Sequence, residues 1–347
     1  MERIIKSVSE YINIVKDLTF NQNNIARQQI ESLHYLVNNQ EFSDLQKEYY
    51  AIVFKQKYHR LNEIIKNTHS DRVSPNNREE EKSFFQFYYR GHYKSSYSLL
   101  PSAFRGNNWY NEDYFYHEIM VQCPQYFQYS SHLDKLVTMQ HYDCPTRLLD
   151  ITSNPLVALY FACKNYGCKK CDTSKEGEVI VFPVLRQDVA YSDSDTALLL
   201  SCIAKFSHKD KNKLLKATEK YLSNGKFKQV PGGSRYSDDI VERFFHEITT
   251  ELPSFKREIR PIDLLQPLFV QPNKTNGRIL KQDGAFIING LSNNSNEATE
   301  KLKNLSHKSI KIKNQNFILK ELASLGIHEA SLFPEVDKVA QYLKDSI

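Results

Sequence analysis

Residues 140–162 read QHYDCPTRLLDITSNPLVALYFA, a polar, turn-rich half followed by an almost unbroken apolar half. Asn154-Pro155 marks a helix start: proline has no N–H to lose at the first helical position, and asparagine accepts from the free amides behind it. Leu156, Val157, Leu159, Tyr160 and Phe161 cover every side of two turns, so this helix is expected to be buried. Residues 147–149 (RLL) read as a short strand. Asp150, Thr152 and Ser153 then fall at a strand-to-helix junction, over the positive end of a helix dipole. Polar groups so placed either bind an anion or ribose hydroxyls, or simply cap the helix.

Working outward, the 347 residues with 40% hydrophobic content suffice for a full core, as one large domain or two modest ones. The net charge of +5 is too diffuse to indicate nucleic-acid binding, which calls for a concentrated basic stripe. No apolar run approaches the roughly 20 residues of a membrane span. The first 17 residues lack the apolar core of a signal peptide, and six cysteines in this composition do not suggest a disulfide framework. The expectation is a cytoplasmic protein.

From the N-terminus, Ile4, Ile5, Val8, Tyr11, Ile12, Val15 and Leu18 share one helical face. Helical composition continues over 21–66, and a polar connection follows over 67–81. Strand texture begins with SFFQFYYRG (83–91). Helices are expected over 111–122, 131–141, 193–206, 209–222 (an exposed face), 237–252, 316–325 and 334–343, with a loop at 231–234. GEVIVFPVL (177–185) reads as a strand whose Pro183 favours a sheet edge. PLFVQ (267–271) and SIKIK (309–313) are further strands. RILKQDGAFIIN (278–289) is expected to be two strands turning at Asp283-Gly284. The fold class is α+β, a mixed or antiparallel sheet core with surrounding helices, preceded by a helical N-terminal module. The expected division is 1–82, of which 1–20 packs on the core and 21–81 is a helical insertion, and 83–347. An apolar face of the N-terminal helices is available for a partner protein or for self-association.

Several residues could carry chemistry. Arg90 follows an aromatic strand, and its planar fork grips phosphate or carboxylate at two points, or forms a structural ion pair. Gly91 beside it lets a ligand approach the backbone. In Gln140-His141-Tyr142, the histidine is a candidate acid or base, or a satisfied core residue. Cys163, Cys168 and Cys171 supply at most part of a zinc site, because no second pair follows at suitable spacing. The chain has no His-Glu-x-x-His, Gly-x-Ser-x-Gly or Gly-Lys-Ser/Thr signature, and no metal is expected.

These pieces resemble the FRG domain family, named for its (Phe/Tyr)-Arg-Gly motif, here Tyr89-Arg90-Gly91 followed by LLPSAFR. The family's central signature, approximately QHxGxPTRLLDxTxxPxxALYFA, matches residues 140–162, with Asp143 where glycine is common. FVQP with RILKQDGAFI and then LGIHEASLFPEVDKVAQYL match its later segments, so the resemblance covers about 83–343. It implies a part in a bacterial conflict or antiphage system. A second resemblance is to ADP-ribosyltransferases, in the order Arg90, then the 150–153 turn before ALYFA, then Gln282 before Gly284-Ala285-Phe286. It implies NAD as the nucleotide ligand and transfer or hydrolysis of ADP-ribose. Arg90, Asp150, Gln282 and His141 are then the catalytic candidates. Gly91, Gln140, Tyr142, Arg147, Thr152, Ser153 and Arg278 are the binding candidates, and all are expected to converge on one concave site. The competing readings are a module that senses a nucleotide or phage component without turnover, and a nuclease-like effector.

Overall fold

The computed structural model describes residues 3–70, 83–128, 130–164, 176–222, 239–256, 258–305 and 308–345. Cys168 and Cys171, the 231–234 loop, the helix start at Ser237 and most of the 67–81 connection lie outside them. Eight strands form one mixed sheet: β1 (Arg3–Ile5), β2 (Phe85–His92), β3 (Leu148–Thr152), β4 (Gly177–Leu185), β5 (Val189–Tyr191), β6 (Leu268–Gln271), β7 (Gly284–Ile288) and β8 (Lys308–Ile312). Their order is β1-β8-β4-β2-β3-β7-β6-β5, antiparallel through the centre and parallel at both ends, β1 with β8 and β5 with β6.

Helices coat the sheet. In chain order they begin with α1 (Val8–Phe20), α2 (Gln22–Val37), α3 (Asp44–Ser70), α4 (Glu112–Gln122), α5 (His132–His141), α6 (Pro155–Cys163) and α7 (Asp195–Cys202). Then come α8 (His208–Lys220), α9 (Asp239–Glu251), α10 (Pro261–Leu265), α11 (Gly277–Lys281), α12 (Ser295–Lys303), α13 (Gln315–Ser324), α14 (Glu329–Leu332) and α15 (Val336–Asp345). The class is α+β with a helical N-terminal region.

The sheet is apolar on both faces, which explains the unbroken run GEVIVFPVL. Val179 and Val181 of β4 join Tyr89, Ile310, Ile312 and the α6 residues Val157–Ala162 in one core. Ile180, Phe182 and Val184 join Tyr88, Leu149, Ile151, Phe269 and Ile287 in another, across the sheet. A third core packs α5 and α7–α10 on Leu148, Val270, Phe286 and Ile288. The α2–α3 hairpin belongs to these cores: Leu36, Tyr49, Tyr50 and Val53 enter the third, and Ile25, Ala26, Leu61 and Ile64 bury Phe85 and Leu185. Residues 8–18 pack on the core through Val8, Tyr11 and Leu18.

Four expectations need correction. Ile4 and Ile5 lie in a strand beside β8, and the first helix starts at Val8. β4 lies between β8 and β2, yet Pro183 still meets no strand on its outer side, because β8 pairs only as far as Val181. The Pro183 carbonyl accepts from Gln29 Nε2 at 2.9 Å instead of from a strand, and the missing N–H interrupts no ladder. RILK is a helical turn, α11, capped by the Asn276 side chain; Asp283 (φ +46°) then turns helix into strand, so no hairpin forms. In α8, Lys211 is buried against Glu112, so that helix is not simply a solvated face.

Candidate active site

β2 meets β3 at one bridge, Tyr89 opposite Thr152, although β2 pairs with β4 all along Phe85–His92. Beyond that bridge the two strands part, and Arg90 reaches across the gap. Its Nη1 donates to the Asp150 carbonyl at 2.5 Å and stands 3.7 Å from the carboxylate Oδ2. Gln140, in the last turn of α5, donates to the same Oδ2 at 2.9 Å. The Thr146 hydroxyl in turn donates to Gln140 Oε1, which fixes the amide with its N–H toward Asp150. Arg90 is 17% exposed and Asp150 57%. The result is an oriented carboxylate at the surface, with its inner oxygen held and Oδ1 free of hydrogen bonds among the described residues.

Asp150 and Thr152 lie within β3, which runs further than expected, and neither caps α6. That role falls to Asn154, whose Oδ1 accepts from Leu156 N and Val157 N. Strand alternation turns Asp150 away from the face buried by Leu149 and Ile151.

His92 was not anticipated. It lies two residues beyond Arg90 on the same side of β2, an alternation that could have marked it. It is 4% exposed, and its Nε2 accepts from Arg90 Nε at 3.0 Å. The proton of the neutral ring therefore sits on Nδ1, which is buried and finds no partner among the described residues. Burial, then the charges of Arg90 and Arg105, push the His92 pKa down to about 3. A neutral imidazole thus backs the arginine.

A second group lies at the other end of β3. The Thr152 hydroxyl donates to the Gln282 carbonyl at 2.6 Å, and Ser153 N donates to the Asp283 carbonyl at 3.1 Å. The Gln282 side chain turns away from this contact and donates to the Leu332 carbonyl at 3.1 Å. His141 Nε2 stands 3.7 Å from Glu335 Oε1, and Arg278 Nε donates to that same oxygen at 3.1 Å. Arg278 also donates to the His141 carbonyl and lies 5.0 Å over the Phe333 ring. Burial, then Arg278, lower the pKa of His141. Tyr142, exposed, sets its ring against His141. Nothing in the sequence singled out Glu335, which comes from the segment before α15.

Two candidates serve elsewhere. Arg147 points into the interior, where Nε and Nη2 grip both oxygens of Glu112 at 2.8 and 2.5 Å. Gly91 faces α6: a Cβ there would lie 2.0 Å from the Ala158 carbonyl oxygen and 2.6 Å from Ala162 N. The motif glycine therefore admits a helix rather than a ligand. Asp143, where the resembled family commonly has glycine, adopts φ +59°, a conformation that glycine reaches without strain and aspartate tolerates.

A cleft of about 760 Å³ lies apart from these residues, between the α2–α3 hairpin and the sheet. Its charges are largely spent on one another, Arg60 with Asp188 at 2.8 Å and Arg260 with Asp263 at 2.7 Å. Among the described residues no group of three or more His, Cys, Asp or Glu side chains is placed to hold a metal ion, and no helix is long and apolar enough to cross a membrane.

The architecture is that of an α+β domain in which a parted strand pair presents an arginine and a carboxylate. The FRG domain model matches residues 85–170, and the chain carries an FRG domain. That stretch holds Arg90, His92, Gln140 and Asp150, whereas Arg278, Gln282 and Glu335 lie beyond it. No curated protein matches the chain, and no solved structure does.

Proposed function

We propose that the protein binds NAD or a related nucleotide where β2 and β3 part, and transfers or hydrolyses its ADP-ribose as part of a bacterial antiphage system. One observation carries the reading: Asp150 is an exposed carboxylate whose orientation is fixed by Arg90 and Gln140 while Oδ1 has no partner among the described residues. In the proposed reaction the bond from nicotinamide nitrogen to ribose C1′ breaks, and its electron pair leaves with nicotinamide. Positive charge grows on the sugar, and a preorganised carboxylate stabilises it without reorienting. Water, or the hydroxyl or amine of an acceptor, then bonds to C1′ and gives up a proton. His141, next to Gln140 in the chain and with its pKa lowered by burial and Arg278, is the base in this scheme.

Binding without turnover is the second reading. It is favoured by Gln282, whose amide is committed to Leu332 rather than turned toward Asp150.

The test is nicotinamide release and NAD binding by purified protein, alone and with phage lysate. Asp150→Asn keeps the shape but removes the charge. It is expected to lower turnover by about 10²–10³-fold, the loss typical of one preorganised electrostatic contact, with Tm within a few degrees of wild type. NAD binding without release in the wild type would favour the sensor. Neither binding nor release would sink the nucleotide reading.

A further inference from the structure

We infer that the interior behind β3 holds a monovalent anion the size of chloride. Three charged groups meet there: the Glu112 carboxylate accepts from Arg147 at 2.8 and 2.5 Å and from Lys211 Nζ at 2.7 Å. All three are buried, Arg147 at 2% exposure. Two cations share one carboxylate, and Asp113, the next acidic group to act on Lys211, does so from beyond ion-pair distance. Excess charge taken out of water is costly unless a counter-charge accompanies it.

The same corner has room for one. A cavity of about 20 Å³ is bounded by Glu112, Arg147 and Lys211 together with Trp109, His208 and Ser292. A single water or a halide fits such a space. The Ser292 hydroxyl on its wall is buried and finds no partner among the described residues. Lys211 Nζ has one further contact, the Ala204 carbonyl at 3.5 Å, which leaves a proton to give. The unspent groups on this wall, the Ser292 hydroxyl and the remaining Lys211 proton, can each donate. An anion accepts from both and cancels the excess charge, whereas a water could accept from both but would leave the charge in place.

Such an ion would tie the sheet together beneath the Arg90–Asp150 site. Arg147 N-terminally adjoins β3, its Nη1 donates to the Asn289 carbonyl at 3.1 Å, and Asn289 N donates to the Arg147 carbonyl at 3.1 Å. Asp150 is three residues further along.

The experiment titrates sodium chloride, bromide, gluconate and sulfate at constant ionic strength while following Tm, and collects anomalous diffraction from crystals grown in bromide. The expected result is a saturable rise of about 2–4 °C with either halide but not with gluconate or sulfate, and a bromide peak in the cavity. Lys211→Met leaves Glu112 and Arg147 as a neutral pair, and should abolish both signals. Should that variant not fold, Ser292→Ala carries the test, with half-saturation expected at tenfold or more higher halide. A response shared by all four salts, cavity density without anomalous signal, or a wild-type response in Ser292→Ala would each overturn the inference.

Discussion

At Gly91 the helix α6 comes so close to β2 that a methyl group would have to displace the Ala158 carbonyl, a backbone atom that cannot rotate aside. Gly91→Ala is therefore expected to destabilise the protein by about 1–3 kcal/mol or more, as overpacking does, read as a fall in Tm and urea midpoint. The folded fraction should bind ligand as the wild type does, because Arg90 and Asp150 are untouched. Weakened binding at unchanged stability would restore the ligand-approach reading of this glycine. The contrast with its neighbour is instructive. Arg90 and Gly91 are adjacent in the chain, yet alternation turns one toward Asp150 and the other onto α6. A motif of two residues thus carries two separate demands, one chemical and one steric.

The α2–α3 hairpin shares its buried residues with the rest of the chain. Its Ile25, Ala26, Leu61 and Ile64 cover Phe85 and Leu185, and Tyr50 donates to Glu300 and accepts from Asn304 of the α12 segment. Removing 21–82 would expose this surface, so the truncated protein is expected to aggregate or to lose cooperative unfolding. A soluble, sharply melting product would instead mark the hairpin as the separable module that the sequence suggests. Cutting only its surface tie, with Arg60→Ala, should cost no more than about 1 kcal/mol.

Which elements the sequence disclosed follows from where their determinants lie. α6 is legible because Asn154 caps it and its own residues are apolar all round. β1 is not: Ile4 and Ile5 fit a helical stripe, and only pairing with β8, some 300 residues away, makes them a strand. α11 hides for a local reason: RILK is too short to show a helical period, and its Asn276 cap lies just outside the run. The site divides likewise. Gln140, Asp150 and Arg90 stand in polar islands beside apolar runs, and the structure brings them together. Arg147 and Gln282 look equally available in sequence, but their partners, Glu112 and the Leu332 carbonyl, are distant in the chain.

Across the whole molecule, buried ionisable groups link stability to pH, and two strongly depressed histidines weigh most on the acid side. His92 is pushed down to about 3 by burial, then Arg90 and Arg105, and His132 to about 4 by burial, then Lys135 and Lys205. Both take up a proton near pH 6.5 once unfolded. Between these values the unfolded chain binds more protons, so stability is full above about 6.5 and falls as pH drops toward 3–4. Glu112 adds to the loss at lower pH. Burial alone would raise its pKa, but Arg147 and Lys211 outweigh that and hold it at about 2, so its contribution fades from pH 4.5 downward. Each histidine can account for up to about 1.4 kcal/mol per pH unit in its window. His92→Gln keeps an acceptor for Arg90 Nε while removing the titration. Urea unfolding at pH 7.0, 6.0, 5.0 and 4.0 should show a shallower decline for this variant than for wild type, with the curves separating below pH 6.5 (the chosen values are about one unit apart to sample that window). Parallel curves would mean that His92 takes up its proton equally readily in the folded protein, and that the imidazole behind Arg90 is not held neutral.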